Sequence, residues 1–473
     1  MVKYFERLMG IKEVIYSKLP VSIQNVLISI YGYKWYKRRF GGVFKTELKK
    51  YLARESFDLN QWKDFQEKEL RKILKHAFQQ VPYYQKTLRD EGFQLKDFEK
   101  FELSNISKIP YLEKNDLRKH GKNTLLANIR EKDGEFYASS GSTGTPTQIL
   151  FSKAMHQRWS AAFEARVRYW AGLSIQNARG MIGGRRIISE GNAKGPFYRY
   201  NLVEKQVYFS AYHIKADNAQ DYLDGMKKHH VDYMTGYAMS NFILARFIQE
   251  KGLKAPTLKA VITSSEKLTQ EMRDTFKNVY GCKTYDSYSG LEACGLITEC
   301  EHGKLHMSPD VGIIELIKEN GEYAKPGEIG EAICTGFLNF DQPLIRYRIG
   351  DLIKLSLDQS CKCGRQLPVV DEIMGRVEDT VIGTDGREMV RFHGVFINMP
   401  KIIEGQIIQH TLKDFEIVLV ATSKLDQNEK DELLKRMQSQ LGVISLKVTE
   451  IDRIPRNQNG KFKAVISHVD RRS

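Results

Sequence analysis

The stretch Tyr137–Pro146, YASSGSTGTP, carries the most informative pattern of the chain. It sets hydroxyl side chains among two glycines, and glycine lets a backbone adopt positive φ and approach a ligand closely. The hydroxyl residues are Ser139, Ser140, Ser142, Thr143 and Thr145, and the glycines are Gly141 and Gly144. A loop of this kind cradles phosphate oxygens with its hydroxyl and backbone N–H groups. The stretch therefore predicts a phosphate-binding loop, and a flexible Ser/Gly hairpin is the alternative that composition alone allows.

The residues on either side distinguish this loop from better-known phosphate loops. Glu135–Ala138 before it and Gln148–Phe151 after it are both strand-like. A Walker loop ends in a Lys–Ser/Thr pair, and Walker and dinucleotide-binding loops both open a helix. Because neither feature is found here, the pattern favours a hairpin loop and gives no support to a Walker-type nucleotide site.

The length of 473 residues implies at least two domains, because a single core rarely grows beyond about 250–300 residues. The first fifty or so residues are helical in pattern, with breaks at Pro20 and Gly41–Gly42. A helix with one apolar face then follows, and Pro82 ends this helix. The apolar face consists of Leu70, Ile73, Leu74, Ala77 and Phe78. The middle of the chain alternates strands with helices, which is typical of layered α/β architecture. The strands are Val231–Met234 and Ala260–Thr263, and the helices are Asn241–Gln249 and Gln270–Val279.

After about Arg376 the pattern changes to that of a small α+β domain. It contains a strand at Phe415–Ala421, a helix at Asn428–Leu441 and a second strand at Ile444–Val448. We therefore expect an α/β protein with a large, multi-sheet N-terminal domain over residues 1–375 and a small C-terminal domain over residues 376–473. The N-terminal domain includes a helical extension over about residues 1–60.

The net charge of +15 fits either a solvated basic surface or attraction to anions such as nucleotides, coenzyme A, glycans or a membrane. The segment Tyr33–Arg39, YKWYKRR, mixes aromatic and cationic side chains and leaves peripheral membrane association open. No nucleic-acid-binding motif accompanies the charge, so we expect no nucleic acid partner. No uncharged apolar run is long enough to span a bilayer, and charges interrupt the apolar N-terminal stretches. We therefore expect a cytoplasmic protein.

Six further segments, in chain order, resemble motifs of the adenylate-forming (ANL) superfamily, whose Ser/Thr/Gly-rich phosphate loop the stretch at Tyr137–Pro146 also resembles. They are Thr235–Tyr237 (TGY), Ser264–Glu266 (SSE), Tyr288–Glu292 (YSGLE), Arg346–Asp351 (RYRIGD), Gly375–Asp379 (GRVED) and Pro455–Lys461 (PRNQNGK). The resemblance runs from about residue 60 to the C-terminus. Within the superfamily the chain is most similar to the phenylacetate–CoA ligase, coenzyme F390 synthetase and CapK-like group. Val81–Tyr84 (VPYY), the Glu299–Cys300 pair with His306, and Cys361–Arg365 (CKCGR) carry that likeness.

This resemblance implies an AMP-forming ligase that uses ATP to convert a carboxylic acid into an acyl-AMP and then transfers the acyl group. Coenzyme A is the default acceptor, and an amine on an amino sugar or amino acid is the alternative. A non-catalytic nucleotide-binding scaffold of the same fold is a third reading. The resemblance also implies that the N-terminal domain performs adenylation and that the C-terminal domain is a rotating lid. The CapK likeness suggests a role in surface (capsular) polysaccharide formation by association only, and a homodimer is left open.

The resemblance also implies roles for individual residues. Asp351 would bind the ribose hydroxyls and Tyr288 would lie against the adenine, beside Ser264, Ser265, Glu266 and Ser287. Glu292 would hold Mg²⁺, with an exposed acid at the start of a helix as the alternative, and the phosphate loop from Ser139 to Thr145 would bind the phosphates. Arg376 would reach the phosphate or ribose, Glu378 would be the hinge, and Lys461 would bridge the carboxylate and the α-phosphate, with Lys463 as a competitor. Tyr237, Gly236, Gly183 and Gly184 would line the acyl pocket.

Two positions depart from the family motif at residues 288–292. Ser289 stands where the family has glycine, and Leu291 stands where it usually has threonine. Because leucine cannot donate a hydrogen bond to the α-phosphate, that contact is either lost or supplied by another residue.

A set of cysteines and histidines predicts a structural zinc site. Cys361 and Cys363 form a Cys-x-Cys pair, and Cys300 lies about 60 residues earlier with His306 or His302. Three thiolates and one imidazole make a closed tetrahedral set, which is typical of structural rather than catalytic zinc. Reduced, unliganded cysteines are the alternative.

Overall fold

The N-terminal part of the structure, a computed structural model, is a layer of helices. The structure describes all residues except 1–15, 139–146, 186, 189–193, 267, 374–380, 387, 390–392, 397–398, 400, 422, 452–453, 455–464 and 470–473. The first helices are α1 (Val21–Phe40), α2 (Phe44–Ala53), α3 (Leu59–Gln80), α4 (Pro82–Asp90), α5 (Lys114–His120) and α6 (Lys153–Phe163). The predicted breaks at Pro20, at Gly41–Gly42 and before Pro82 are confirmed.

Helix α3 shows why these elements form where they do. A capping box between Asp58 and Gln61 satisfies backbone N–H groups at its first turn. Leu70, Ile73 and Leu74 are buried with no exposed surface, and they join the main core of the N-terminal domain. The predicted apolar face is therefore the face that packs inward.

The N-terminal domain then builds a two-stranded hairpin and a twelve-stranded sheet. The hairpin consists of β1 (Glu135–Ala138) and β2 (Gln148–Phe151), as predicted. The large sheet contains β3 (Arg179–Gly183), β4 (Tyr198–Asn201), β5 (Gln206–Ser210), β6 (Tyr233–Tyr237), β7 (Ala260–Ser264), β8 (Lys283–Ser289), β9 (Leu296–Glu299), β10 (Leu305–Met307), β11 (Gly312–Ile317), β12 (Ile329–Gly336), β13 (Tyr347–Leu355) and β14 (Val369–Ile373). Helices α7 (Ala219–Lys228), α8 (Ala238–Glu250) and α9 (Gln270–Tyr280) connect strands β5 to β8.

The strands of the large sheet follow the order β11-β12-β13-β14-β10-β9-β8-β7-β6-β3-β5-β4. The five strands β5-β3-β6-β7-β8 run parallel to one another, and the remaining pairs are antiparallel. Helices α8 and α9 each connect two adjacent parallel strands, which is the βαβ arrangement. The expectation of layered α/β architecture is therefore confirmed.

The C-terminal residues form a second, smaller sheet with its own core. Its elements are β15 (Val381–Ile382), β16 (Glu388–Met389), α10 (His393–Phe396), β17 (Ile402–Gln409), β18 (Asp414–Ala421), α11 (Gln427–Leu441), β19 (Ser445–Glu450) and β20 (Val465–Ser467). The four-stranded sheet has the order β19-β18-β17-β20, and Leu433, Met437 and Leu441 of α11 pack against it. The predicted boundary between residues 375 and 376 lies outside the described residues and stays a prediction.

Candidate functional site

The carboxyl ends of the parallel strands bring three of the predicted site segments together, TGY, SSE and YSGLE. Because parallel strands share a direction, their last residues meet at one edge of the sheet, where α/β proteins bind ligands. In the register, Gly236 stands beside Ile182, Tyr237 beside Ser264, and Ser264 beside Ser287. Segments that are separated by up to about a hundred residues in the sequence therefore lie on one sheet edge.

The glycines at this edge allow a close approach of backbone. Gly236 has a φ of +117°, and a Cβ atom there would lie 1.9 Å from the carbonyl oxygen of Ile182. A Cβ atom at Gly184 would lie 2.8 Å from Tyr237 Oη, and the hydroxyl of Tyr212 donates to the carbonyl of Gly184 at 3.2 Å. These contacts leave no room for a side chain at Gly236, and at Gly184 they leave room only if Tyr237 shifts.

Tyr288 and Asp351 are in direct contact, although they lie 63 residues apart. The hydroxyl of Tyr288 donates to Asp351 Oδ2 at 2.7 Å. Tyr288 is on β8 and Asp351 is on β13, and three strands separate these two in the sheet. The sheet must therefore curl strongly to bring the two side chains together. Burial and, second, the charge of Asp351 raise the pKa of Tyr288 well above its usual value, so the phenol stays protonated and donates this bond.

Glu292 is a buried carboxylate rather than the exposed acid at a helix start that was the alternative. Only 7% of it is exposed, and it lies in a turn after β8. Thr147 Oγ1 lies 3.4 Å and Tyr347 Oη 3.5 Å from Glu292 Oε1, each as a hydrogen-bond donor. A Cβ atom at Gly290 would lie 2.5 Å from Glu292 Oε2. The carboxylate therefore faces the residue that directly follows the predicted phosphate loop.

The Ser264–Glu266 segment makes an unusual turn at the end of β7. Ser265 has a φ of +71°, which non-glycine residues rarely adopt and which often marks a ligand site. Ser287 faces this turn from β8, but its hydroxyl donates to the carbonyl of Thr263 at 3.0 Å and it is buried. Its side chain therefore supports the turn.

Several predicted residues lie outside the described part of the chain. They are the phosphate loop (Ser139, Ser140, Gly141, Ser142, Thr143, Gly144 and Thr145), Arg376, the hinge residue Glu378, and Lys461 with Lys463. Their roles stay predictions from the sequence.

Helix α1 supports the hairpin that carries the predicted phosphate loop, a contact that the sequence analysis missed. Arg38 Nη2 donates to the carbonyl of Phe151 at 2.6 Å, and Arg38 Nη1 pairs with Glu135 Oε1 at 3.4 Å. The ring of Trp35 lies 6.0 Å from that of Tyr137. Glu135 and Tyr137 belong to β1 and Phe151 belongs to β2, so α1 contacts both strands beside residues 139–146. The YKWYKRR segment was interpreted as a surface feature, but its Trp35 and Arg38 point inward.

Asp286 is a second residue that the sequence analysis missed. Burial and then the charge of Glu299 raise its pKa to about 7, although Arg273 opposes the shift. Arg273 binds both carboxylate oxygens of Glu299, at 2.9 and 2.8 Å, and the backbone N–H of Asp286 donates to Glu299 Oε2 at 2.9 Å. This group supports β8 just before Tyr288. Nothing in the sequence singled out Asp286, because it is one of many acidic residues and belongs to no recognised motif.

The structure brings the predicted zinc ligands together. The ligand atoms of Cys300, His306, Cys361 and Cys363 all lie within 4.8 Å of one another. Cys300 Sγ is 3.6 Å from Cys361 Sγ, and Cys363 Sγ is 3.6 Å from His306 Nε2. Zn–S bonds of about 2.3 Å in a tetrahedron place sulfur atoms about 3.8 Å apart. The arrangement therefore fits one zinc ion.

The fold also decides between the two candidate histidines. His306 is fully buried and contributes Nε2 to the cluster, whereas the exposed His302 approaches it only through its backbone N–H, 3.4 Å from Cys300 Sγ. Burial lowers the pKa of His306 to about 4, so its imidazole is neutral and able to ligate at physiological pH. Burial, together with Cys363 and Cys300, raises the pKa of Cys361 to about 12, and a bound cation would favour its thiolate form.

None of the helices among the described residues combines the length and the apolar character that a bilayer span requires.

Comparisons with known proteins agree with the motifs. Residues 381–468 match the sequence model of the CapK C-terminal domain. The chain is 24% identical to Protein CapK of Staphylococcus aureus over 468 residues, covering 96% of this chain and 99% of CapK. It is 26% identical to the phenylacetate-coenzyme A ligase of Thermus thermophilus over 412 residues, covering 82% of this chain and 85% of that ligase.

A solved structure shows the same fold. It is 2-hydroxyisobutyryl-CoA ligase in complex with 2-HIB-AMP and CoA in the thioesterification state, with a TM-score of 0.56 and 18% identity. The alignment covers 88% of this chain and 91% of that ligase. The predicted fold class and the resemblance to the CapK and phenylacetate–CoA ligase group are therefore confirmed.

Proposed function

We propose that this chain, a relative of CapK and of the phenylacetate–coenzyme A ligases, is an AMP-forming ligase that activates a carboxylic acid with ATP. In the first step the carboxylate oxygen attacks the α-phosphorus, which yields an acyl-AMP and pyrophosphate. In the second step the thiol of coenzyme A attacks the acyl carbon, which yields a thioester and AMP. Coenzyme A is the proposed acceptor because it appears in the names of the phenylacetate ligases and in the fold relative.

The hydrogen bond between Tyr288 and Asp351 is the observation that supports this proposal most. The sequence resemblance assigned their motifs to the adenine and the ribose, and the curl of the sheet joins the two side chains at 2.7 Å. We propose that Asp351 accepts hydrogen bonds from the ribose hydroxyls and that Tyr288 both orients this carboxylate and lies against the adenine. Ser265, in its strained turn, would border the base.

Glu292 is the proposed ligand for Mg²⁺ on the ATP phosphates. A buried carboxylate is a strong site for a hard cation, and Thr147 and Tyr347 orient it through their hydroxyl groups. Leu291, which replaces the family threonine, packs against the main core. Thr147, which follows the predicted phosphate loop, places a hydroxyl beside Glu292. We propose that this hydroxyl makes the contact with the α-phosphate that Leu291 cannot make.

The remaining chemistry is assigned to residues whose roles rest on the sequence alone. The loop at residues 139–145 would bind the phosphates, and Arg376 would reach the phosphate or ribose. Lys461 would act as a point charge that neutralises the carboxylate and α-phosphate during adenylation. A rotation about Glu378 would then present another face of that domain for acyl transfer.

Zinc bound by Cys300, His306, Cys361 and Cys363 would have a structural role. It would join the segment that follows β9 to the segment between β13 and β14, near the strand that carries Asp351. Four protein ligands leave no open position, so the metal would supply stability and take no part in the reaction.

The test of the proposed function is a pyrophosphate-exchange screen with aryl, fatty, hydroxy and amino acids. Labelled pyrophosphate should return into ATP only with the correct acid, and turnover with CoA should release AMP and pyrophosphate. ADP as the stoichiometric product would overturn the proposal. Nucleotide binding without exchange for any acid would favour the non-catalytic scaffold, and exchange with transfer only to amines would favour the amide ligase.

Arg38 is expected to position the phosphate loop. Arg38→Ala would release β1 and β2 from α1, and misplacing the loop between them should raise the KM for ATP on the order of tenfold or more. The KM for the acid should change little, because the residues proposed to line its pocket lie at the ends of β3 and β6. Exchange kinetics at varied ATP and varied acid measure both values.

The matched control is Arg71→Ala. Arg71 on α3 also donates to a backbone carbonyl, that of Phe101 at 2.8 Å, and to the carboxylate of Glu67 at 2.9 Å, but neither partner belongs to the hairpin. An equal rise of the KM for ATP in both variants would mean that the effect reflects general destabilisation.

A further inference from the structure

Helix α1 exposes a continuous apolar stripe to solvent. Its members are exposed by 45% (Ile23), 57% (Val26), 43% (Leu27), 57% (Ile30) and 49% (Tyr33). Their spacing of three and four residues places them on one side of the helix. We call this side the outer face of α1. Singly exposed apolar residues are ordinary on protein surfaces, but a contiguous stripe of five on one helix marks an interaction site.

The outer face also carries positive charge. Lys34 and Lys37 follow the same spacing and are exposed, and Lys37 Nζ lies 4.6 Å above the ring of Tyr33. Helix α1 contains no aspartate or glutamate, and the whole chain has a net charge of +15. Apolar side chains with tyrosine and lysine at one end are complementary to an anionic membrane surface. The α1 of a second copy would offer the lysines no acidic partner.

A neighbouring turn widens this surface. Leu202 and Val203, in the turn between β4 and β5, are 68% and 36% exposed. The backbone N–H of Leu202 donates to Ser29 Oγ at 3.0 Å, which fixes the turn beside α1. The apolar surface therefore extends beyond a single helix.

Residues of α1 outside the outer face attach the helix to the rest of the N-terminal domain. Asn25 Oδ1 accepts a hydrogen bond from the backbone N–H of Tyr200 at 2.9 Å, and buried Arg38 donates to Phe151 and His156. The outer face is consequently held in place, and docking through it requires no rearrangement of the helix.

We propose that the outer face of α1 docks this protein on a membrane surface rich in anionic lipid. Ile23, Val26, Leu27 and Ile30 enter the boundary between headgroups and acyl chains, and Lys34 and Lys37 lie among the lipid phosphates. The proposal stands independently of the ligase activity, because none of the outer-face residues is assigned to ATP or the acid.

Flotation with vesicles tests this proposal. The full-length protein should float with phosphatidylcholine vesicles containing about 30% phosphatidylglycerol, bind pure phosphatidylcholine much less, and detach as salt is raised to about 0.5 M. Ile30→Glu combined with Val26→Glu should abolish flotation. Lys34→Ala and Lys37→Ala should each weaken it about fivefold. The control is Ile129→Glu, at a 75% exposed isoleucine on another part of the surface, which should bind normally.

Thermal unfolding checks that the variants fold, and size-exclusion chromatography with light scattering measures their oligomeric state. Binding that ignores lipid charge, or that survives the double glutamate change, overturns the proposal. A wild-type dimer that the double change converts to monomer, without vesicle binding, identifies a second copy as the occupant and overturns it as well. Vesicle binding that begins only after removal of residues 1–15 would identify that segment as the occupant and would overturn the proposal for the full-length protein.

Discussion

Lys461→Ala is expected to lower the rate of acyl-AMP formation by a factor on the order of 10²–10³, with ATP binding and fold retained. The reaction brings a carboxylate against the α-phosphate, and the two negative charges require a cation at the reacting centre. Lys461 ends the Pro455–Lys461 motif that places a lysine there. Pyrophosphate exchange measures the adenylation rate, and equilibrium binding of ATP measures the nucleotide affinity.

Lys463→Ala is the matched control, because it removes the same charge two residues away. It should keep most of the exchange activity. Acyl transfer from preformed acyl-AMP should survive in Lys461→Ala far better than adenylation does, since this lysine is proposed to move away with the C-terminal domain. Wild-type exchange in Lys461→Ala would show that another residue supplies the charge, and equal losses in both variants would point to a general electrostatic effect.

The second largest effect is expected from loss of the zinc site, which should lower the stability of the fold. Protein purified without chelator should contain close to one zinc per chain. Cys361→Ser should remove most of it and lower the free energy of unfolding by about 4 kcal/mol, because metal binding contributes to folding. Metal analysis by mass spectrometry and chemical denaturation measure the two effects. At a temperature where the variant remains folded, its rate of adenylation should stay close to that of the wild type.

Cys282→Ser provides the control for this experiment. Cys282 is a free cysteine as well; it is buried in another core cluster, away from the four proposed ligands. It should keep the zinc and lose much less stability. Zinc below a tenth of an ion per chain in the wild type would rule out the site, and an equal loss of stability in both variants would assign the effect to the loss of a thiol rather than of the metal.

Residue patterns along the chain predicted much of this molecule. The limits of β1 and β2 follow from strand-like runs on either side of the loop, and the break before Pro82 follows from proline. Both signals act within a few residues. The helix predicted over Asn428–Leu441 begins one residue earlier, at Gln427, because the side chain of Asp426 caps it. The motif residues Tyr288 and Asp351 were also found from the sequence, although their roles stay proposals.

Contacts between distant segments were harder to predict. The sequence named His306 as the zinc ligand but left His302 as an alternative, since both follow Cys300 within six residues. Glu292 had an exposed position as its alternative, and the inward contacts of Trp35 and Arg38 with the hairpin were missed. In each case the contact depends on which way a side chain points after the chain has packed. The sequence pattern alone does not determine that orientation.

The sequence by itself determined the fold class, the order of the motifs and the identity of three zinc-ligand candidates, Cys300, Cys361 and Cys363. These features are local, because periodicity, glycines, prolines and short motifs act over a few neighbouring residues. Only the tertiary structure decided that Tyr288 meets Asp351, that His306 completes the cluster and that α1 turns its apolar stripe outward. Such contacts join segments that lie far apart in the sequence, in some cases by more than a hundred residues. They arise from the curl of the twelve-stranded sheet and the packing of helices around it.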